Sequence, residues 1–226
     1  CVTSIDEFRD MGYLPEALAN YMAFLGWSPK SGESEILSIE EISKFFELSD
    51  INKAGAKFSW EKLNWINSQY IKSMESKKLS KIICEYWNNM GWEAPSQEWA
   101  IKLTILLRDS ITVLRDVIYQ SKPFFLLPPI QKEGLDFLEN KDCKACLKLI
   151  LNYLVEKNIL KLDNEKAKEI ISEISKSHNI KKGTLMKSLR VAFFGSLSGP
   201  DLIQSWELLS EIKTDRSRIE RCIKSY

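Results

Sequence analysis

The sequence predicts an all-α protein. Apolar residues recur with helical spacing along most of the chain, whereas no convincing run alternates as a strand would. Serine or aspartate precedes several of these apolar runs, where a helix cap is expected. Hydrophobic residues make up 44% and charged residues 28% of the 226 residues, which is ordinary for a soluble globular protein. The length suits one large packed unit or a few smaller ones.

In the first part of the chain, helix starts are predicted from caps and from one proline. Ser4 with Glu7 and Ser38 with Glu41 have the spacing of capping boxes. Pro15 fits the first turn of another helix, because its missing N–H lies where a helix start has no partner. The apolar face predicted for that helix holds Leu14, Leu18, Tyr21 and Leu25.

Three polar or proline-rich breaks separate the predicted helices. Residues 28–35 form a polar turn, and residues 88–96 separate two helices. Residues 122–131 contain three prolines, which are predicted to interrupt any helix. This last break is the predicted boundary between two helical lobes. A short pair of strands near residues 56–58 is a weak alternative to helix or loop.

Three further helices are predicted near the C-terminal end. The first begins at Asp163, the second at Gly183, and the third has Pro200 as its first helical residue. The residues predicted to line their buried faces are Ala167, Ile170, Ile171 and Ile174, then Leu185, Leu189 and Ala192, and finally Leu202, Trp206 and Leu209.

Charge and cysteine usage limit the classes of function. The formal net charge is +1, whereas a protein that coats DNA is usually far more basic, so DNA is not an expected partner. Five scattered cysteines favour a reducing cytoplasm over a secreted disulfide framework. No apolar stretch is long enough to span a bilayer, and no secretory signal is present. Because the sequence begins at Cys1 rather than Met, an upstream part is expected.

The side chains needed for catalysis or metal binding are scarce. His178 is the only histidine, and it lies in a polar stretch where a solvated helix end is expected. Cys143 and Cys146 have the spacing of half a zinc site, but further ligands at matching spacing are missing, so a buried helix is favoured. No glycine-rich phosphate loop is present. We therefore assign no catalytic residue, no metal ligand and no cofactor to this chain.

Four stretches resemble bacterial-type glutamyl-tRNA synthetases. TSIDEFRDMGYLP (3–15) resembles the exit from the family's ATP-site signature loop, and GYLPEALANYMAFLGWS (12–28) with FSWEKLNWINSQYI (58–71) resembles the region that follows it. Near the end, GTLMKSLRVAFFGSLSGPDL (183–202) resembles the family's terminal segment LRxAxxG…P…L. The resemblance covers essentially the whole chain.

The resemblance implies a division of labour between this chain and an upstream Rossmann-type domain. That domain binds ATP with magnesium and forms glutamyl-adenylate, using HIGH-like and KMSKS-like motifs that these residues lack. The chain is then expected to hold a helical stem-contact domain at 1–74, followed by a two-lobed helical anticodon-binding region at 75–124 and 125–226. It is expected to be a monomer, inactive by itself, that docks glutamate tRNA.

Candidate tRNA-binding residues near the C-terminal end follow from the same resemblance. The family uses the arginine of LRxA and residues of the proline turn around the anticodon, which here are Arg190, Gly199, Pro200 and Leu202. Lys187 lies three residues before Arg190 and is predicted to share its helix face. Cationic side chains and the N–H groups of a helix start are suited to phosphates and base acceptors.

A second candidate site lies in the first lobe, at Arg108 and Ser110. Family members commonly carry arginine at both positions, and in some the second arginine helps to distinguish the final anticodon base of glutamate tRNA from that of glutamine tRNA. Serine cannot fork onto a base edge as arginine does. The departure at Ser110 predicts a relaxed enzyme that also charges glutamine tRNA.

Two alternatives remain open at the level of sequence. Near-neutral charge and abundant amphipathic helices also fit a helical scaffold that binds proteins. A small helical enzyme is less well supported, because one histidine and one pair of cysteines offer little chemistry. Six tryptophans could stack on bases, but packing roles are favoured for most of Trp60, Trp65, Trp87, Trp92, Trp99 and Trp206.

Overall fold

The structure, a computed structural model, describes residues 4–27, 34–51, 57–139 and 141–224, and it consists there of helices joined by turns and irregular segments. No strand occurs in these ranges, and the all-α prediction is confirmed. Short 3-10 helices lie at Leu48–Asp50 and Arg108–Ser110. The α-helices are α1 (Ile5–Met11), α2 (Pro15–Gly26), α3 (Ile39–Phe45), α4 (Trp60–Ser73), α5 (Ser76–Asn89), α6 (Gln97–Leu107), α7 (Asp116–Phe125), α8 (Lys132–Leu138), α9 (Lys141–Glu156), α10 (Asn164–Ser177), α11 (Lys182–Phe194), α12 (Leu202–Glu211) and α13 (Asp215–Lys224).

Some of the predictions concern residues outside these ranges. They are most of the polar turn at 28–35, Ala56 of the weak strand pair, and Cys1. Within the described ranges, no helix is both long enough and apolar enough to cross a membrane.

The predicted helix caps are confirmed. Both capping boxes are complete: the N–H of Glu7 donates to Ser4 Oγ at 3.2 Å, and the N–H of Glu41 donates to Ser38 Oγ at 3.2 Å. At the start of α10, a carboxylate oxygen of Asp163 accepts from the N–H of Lys166 at 2.7 Å. Each cap satisfies main-chain donors that have no partner in the first turn.

The proline-rich break begins later than predicted. Helix α7 continues through Pro123 and ends at Phe125, so the irregular segment starts at Leu126. The helix is interrupted within the predicted stretch, but it ends after Pro123 rather than at the start of the stretch. Pro123 lies in the last turn of α7, where the loss of one hydrogen bond disturbs only the helix end.

The start of α12 also differs from its prediction. Pro200 precedes the helix, which begins at Leu202 with Asp201 as its N-cap. An aspartate carboxylate can accept from a main-chain N–H of the first turn, and Asp201 does so with Gln204 at 2.9 Å. The N-cap of α12 is therefore Asp201, the residue after Pro200. The start of α11, at Lys182, lies one residue before the predicted Gly183.

The helices divide into two compact units that interleave in sequence. One unit comprises Cys1–Glu93 with Leu107–Gln120, and the other comprises Ala94–Leu106 with Ser121–Tyr226. The change of unit at 120/121 lies close to the predicted lobe boundary at 124/125. The boundaries 1–74, 75–124 and 125–226 remain a prediction.

In the first unit, α2 packs against α4 around a buried asparagine. Asn67 accepts from the N–H of Leu14 at 2.8 Å, and its amide nitrogen donates to the carbonyl of Thr112 at 2.7 Å. The apolar face predicted for α2 is only partly correct, because Leu18 and Leu25 are half-buried. The residues of α2 that are buried are Ala17, Asn20 and Tyr21. Asn20 is inside because its amide oxygen accepts from the N–H of Leu37 at 3.1 Å.

In the second unit, α9, α11 and α13 pack against one another, and α10 packs against α11 and α12. All the residues predicted to line the buried faces of α10, α11 and α12 are buried. Two indole N–H groups have partners inside: Trp99 donates to the carbonyl of Leu208 at 3.0 Å, and Trp206 donates to Asp215 at 3.2 Å.

Packing is the role of most tryptophans, as predicted. Trp87, Trp92, Trp99 and Trp206 are buried. Trp60 and Trp65 each keep 41% of their surface exposed, so these two remain accessible.

Candidate nucleic-acid interface

The turn between α11 and α12 is held by Arg190. One guanidinium nitrogen, Nη1, donates to the carbonyl of Gly199 at 3.0 Å and to the carbonyl of Pro200 at 2.9 Å. Arg190 is in place because α11 buries Leu189 and Val191 and leaves Arg190 at the edge of the buried face. We call the segment Gly195–Asp201 the pinned turn. Arg190 and the pinned turn thus form one structure.

A second side chain, Glu133 of α8, holds the other end of the pinned turn. Its Oε1 accepts from the Ser196 hydroxyl at 2.6 Å and from the N–H of Leu197 at 3.1 Å. The N–H of Ser198 in turn donates to Ser196 Oγ at 3.1 Å. The hydroxyl of Ser196, and then the N–H of Leu197, stabilise the carboxylate and lower the pKa of Glu133.

Two glycines, Gly195 and Gly134, allow the start of the pinned turn to lie directly against the main chain before and within α8. Gly195 has a φ of +69°, and a Cβ there would lie 2.1 Å from the carbonyl oxygen of Pro129. A Cβ on Gly134 would lie 2.7 Å from the oxygen of Gly195. The N–H of Gln131 donates to that same oxygen at 2.8 Å. Any side chain at Gly195 or Gly134 would separate the two segments.

The predicted residues around the pinned turn differ in their accessibility. Lys187 is exposed on α11, Arg190 is half-buried, and Gly199 and Pro200 lie in the turn itself. Leu202 is 1% exposed, so its side chain belongs to the core. Only its main chain could take part in a contact at the start of α12. The sequence does not predict the role of Glu133, because Glu133 lies 63 residues before Ser196 and no local pattern pairs the two residues.

The other predicted pair, Arg108 and Ser110, lies in the 3-10 helix of the first unit. Arg108 Nη2 donates to Ser76 Oγ at 2.7 Å, and its Nη1 lies 3.5 Å from the carbonyl oxygen of Lys72. The hydroxyl of Ser110 donates to the carbonyl of Leu107 at 2.7 Å. Arg108 is therefore anchored to α4 and α5, whereas Ser110 is exposed and bonded within its own turn.

The reactive side chains occupy the places that the sequence suggested. Cys143 and Cys146 are buried in α9, and burial raises the pKa of the Cys143 thiol to about 11, which keeps it protonated and unreactive. His178 is exposed at the C-terminal end of α10. In the described ranges, no cluster of three or more histidine, cysteine or acidic side chains could hold a metal ion.

Comparison with protein families defines the class of protein. Residues 68–223 match the family model described as an anticodon binding domain. Residues 1–65 match the family model described as the catalytic domain of class I tRNA synthetases (E and Q). The catalytic-domain match thus covers most of the segment for which a stem-contact domain is predicted. Together the two families define a portion of a class I tRNA synthetase that carries an anticodon-binding domain.

Individual relatives narrow this class. The chain is 80% identical over 225 residues to a glutamate–tRNA ligase of Prochlorococcus marinus (strain MIT 9312), covering 100% of this chain and 47% of the relative. It is 46% identical over 222 residues to that of strain MIT 9211, covering 98% and 47%. The chain belongs to the glutamate–tRNA ligase family, and it spans about half the length of the curated relatives it matches.

Solved structures agree with this assignment. The crystal structure of a glutamate tRNA ligase from Elizabethkingia meningosepticum CCUG26117, in complex with its amino acid, matches 96% of this chain and 42% of that chain. The TM-score is 0.88 at 30% sequence identity. The glutamate-tRNA synthetase from Elizabethkingia anophelis matches 96% of this chain and 42% of its own, with a TM-score of 0.81 at 30% identity. These matches do not favour the helical scaffold that composition alone left open.

Proposed function

We propose that this chain docks and selects tRNA for a glutamate–tRNA ligase, with the pinned turn as part of the anticodon contact. The supporting observation is that the turn, Arg190 and Glu133 all lie inside the segment that matches the anticodon-binding family, residues 68–223. A turn anchored at both ends presents its groups in a fixed geometry. Such preorganisation lowers the entropy lost on binding.

The chemistry of the pinned turn suits RNA recognition. The N–H groups in the first turn of α12 have no acceptor within the helix, and of these the Asp201 carboxylate accepts only from the N–H of Gln204. The other N–H groups of this turn can therefore donate to base or phosphate acceptors. Lys187 adds a mobile positive charge on α11. Arg190 has two roles open to it: it fixes the carbonyls of Gly199 and Pro200, and it can offer its remaining N–H groups to RNA.

The whole protein would join glutamate to its tRNA by way of glutamyl-adenylate. ATP with magnesium would bind in the half that lies outside this chain, because no ATP-binding motif occurs in these 226 residues. The chain itself would be inactive and monomeric, and it would act in the cytoplasm with tRNA(Glu) as its partner.

Binding measurements with tRNA test this function. The chain is titrated with tRNA(Glu), tRNA(Gln) and an unrelated tRNA over a range of salt concentrations. We expect binding that weakens with salt and that is tighter for tRNA(Glu) than for the unrelated tRNA. Equal weak binding to all three would contradict selection, and no binding would contradict docking.

We further propose that the ligase accepts tRNA(Gln) as well. The only side-chain group that Ser110 can offer is a short hydroxyl, and that hydroxyl already donates to Leu107. An arginine there would be long enough to fork onto a base edge. The tRNA(Gln) product would then carry glutamate and need a later amidation.

The substitution Ser110→Arg tests this acceptance. The variant should charge tRNA(Gln) less well relative to tRNA(Glu), by about tenfold, since a good forked contact contributes about 1–3 kcal/mol of discrimination. Charging of both tRNAs by the complete ligase is measured, and Ser110→Ala is the control that should leave the ratio unchanged. Strong rejection of tRNA(Gln) by the unsubstituted ligase would overturn the proposal.

A further inference from the structure

A group of basic side chains gathers where α4 meets α5 in the first unit. Lys72 lies in the last turn of α4, and Lys77, Lys78 and Lys81 lie in the first two turns of α5. All four lysines are exposed. We call these lysines, together with Arg108, the α4–α5 basic corner.

The helix geometry keeps these charges together. Lys77 and Lys81 are four residues apart and Lys78 and Lys81 are three apart, spacings that place side chains on one helix surface. Arg108 reaches the corner from the 3-10 helix, because its guanidinium donates to Ser76 Oγ at 2.7 Å in the first turn of α5. The corner therefore gathers charges from three elements of one unit.

Positive charge predominates at the corner, although Glu85 follows Lys81 by about one helix turn and Asp109 follows Arg108. None of the four lysines forms an ion pair within the part of the chain that the structure describes, whereas Lys62, Lys102 and Lys166 each contact a carboxylate. Between residues 72 and 81, Glu75 is the only acidic residue. Like charges at helical spacing repel, so the corner favours an anionic partner that bridges them.

The surroundings of the corner favour a nucleic-acid backbone over a protein partner. No large apolar side chain is exposed between residues 72 and 81, where the neighbours include Ser73 and Ser76. Protein interfaces have an apolar or aromatic centre in which lysine is depleted. Phosphates, in contrast, are commonly held by lysine as a mobile point charge.

We propose that the α4–α5 basic corner binds the sugar–phosphate backbone of the tRNA, independently of nucleotide sequence. This inference rests on the proposed function, and it assigns backbone docking to the first unit, while the pinned turn that serves selection lies in the second unit. Lys72, Lys77, Lys78 and Lys81 are the residues that neutralise phosphates. Arg108 adds charge but is held by Ser76, so it contributes to docking rather than to base reading.

The test compares two double substitutions that remove equal charge. Lys77→Gln with Lys81→Gln removes two charges of the corner. Lys168→Gln with Lys176→Gln removes two charges from exposed positions of α10 and is the matched control. Glutamine has a helix propensity close to that of lysine, so both variants should keep their helical circular dichroism. Affinities of the 226-residue chain for tRNA(Glu) and for an unrelated tRNA are measured from about 50 to 200 mM salt.

Affinity falls with salt, so the plot of log affinity against log salt has a negative slope. We expect the corner variant to reduce the magnitude of this slope by about two, because each phosphate-binding lysine contributes about one. Across the fourfold salt range, its affinity should then fall about tenfold less than that of the unsubstituted chain. Both tRNAs should be affected by the same factor, and the α10 control should keep the original slope.

The remaining outcomes distinguish failure of the backbone-docking proposal from failure of the proposed function. If the corner variant keeps the slope while the unsubstituted chain binds tRNA, the backbone-docking proposal is overturned and the proposed function stands. If the corner variant has a shallower slope but the unsubstituted chain does not prefer tRNA(Glu), the backbone-docking proposal is confirmed and the proposed tRNA selection is overturned. If no tRNA binds, both proposals are overturned, and an acidic protein becomes the partner to test.

Discussion

Arg190 matters at the residue scale because one of its nitrogens holds two consecutive carbonyls of the pinned turn. A single nitrogen with two N–H bonds can donate to both Gly199 and Pro200, and such bonds are strengthened by the charge of the guanidinium. Lys187, on the same helix, has no such bond in the part of the chain that the structure describes, and it is exposed. The two cations should therefore affect tRNA binding in different ways.

We expect Arg190→Ala to weaken binding of tRNA(Glu) by about tenfold or more and to reduce the preference over unrelated tRNA. The loss follows because charge-assisted hydrogen bonds contribute about 1.5–3 kcal/mol and the turn loses its anchor. Lys187→Gln is the comparison and should weaken all tRNAs equally, as loss of a phosphate contact does. Equal loss of affinity for every tRNA in Arg190→Ala would show that Arg190 acts only as a charge.

Glu133 makes one anchor of the pinned turn sensitive to acid. Because Ser196 and Leu197 lower its pKa, the contact is complete above the ordinary carboxyl range and is lost as the pH falls through the lowered pKa. The amide signal of Leu197, followed by nuclear magnetic resonance, should therefore titrate with a midpoint below about 4.3, the ordinary glutamate value. Glu133→Gln should abolish this titration. A midpoint at or above the ordinary value would contradict the anchor.

At the scale of elements, Gly195 joins the end of α11 to the segment before α8. Its positive φ ends the helix, and its missing side chain lets Gln131 donate to its carbonyl. Gly183 lies in the same helix, but a Cβ added there meets nothing within 4 Å. The two glycines thus offer a matched pair of substitutions.

We expect Gly195→Ala to lower the free energy of unfolding by about 3 kcal/mol or more, because the added Cβ would lie 2.1 Å from the Pro129 oxygen in a strained conformation. Gly183→Ala should leave it unchanged or raise it by about 0.5–1 kcal/mol, since alanine favours a helix. Urea unfolding followed by circular dichroism measures both. Equal effects of the two substitutions would refute the close approach.

At the scale of the whole molecule, each unit contains buried or half-buried polar groups that join parts distant in sequence. In the first unit, Asn67 links Leu14 to Thr112. In the second, Lys102 of α6 contacts Glu207 at 2.8 Å and Glu211 at 2.7 Å, and these carboxylates raise the pKa of its amine. Such groups require particular partners, so they specify which helices meet.

We expect Asn67→Leu to lower the free energy of unfolding by about 2–4 kcal/mol. Leucine is close in size but leaves the buried N–H of Leu14 and the part-buried carbonyl of Thr112 without partners, each costing about 1–3 kcal/mol. Ser68→Ala, at the neighbouring half-buried position of the same helix, should stay within about 0.5 kcal/mol. Thermal unfolding of both variants measures the difference. A leucine variant as stable as the alanine control would show that Asn67 is dispensable.

Local patterns predicted the helices and their caps well. Ser4, Ser38 and Asp163 cap helices because their side chains bond to residues three positions away, an interaction that the sequence itself encodes. The limits of α7 and α12 were less predictable. Proline allows several nearby helix ends and starts, and the choice depends on neighbouring groups such as Arg190, which binds the carbonyl of Pro200.

By itself, the sequence determined the all-α class, most of the buried faces and the motif that contains Arg190 and Pro200. These depend on periodicity and on contacts between near neighbours. Only the tertiary structure decided that Glu133 anchors Ser196, that Leu202 lies in the core, and that Arg108 joins four lysines at the α4–α5 basic corner. Each of these depends on groups 30 or more residues apart or on burial, and helical periodicity carries no information about which distant helix completes a contact.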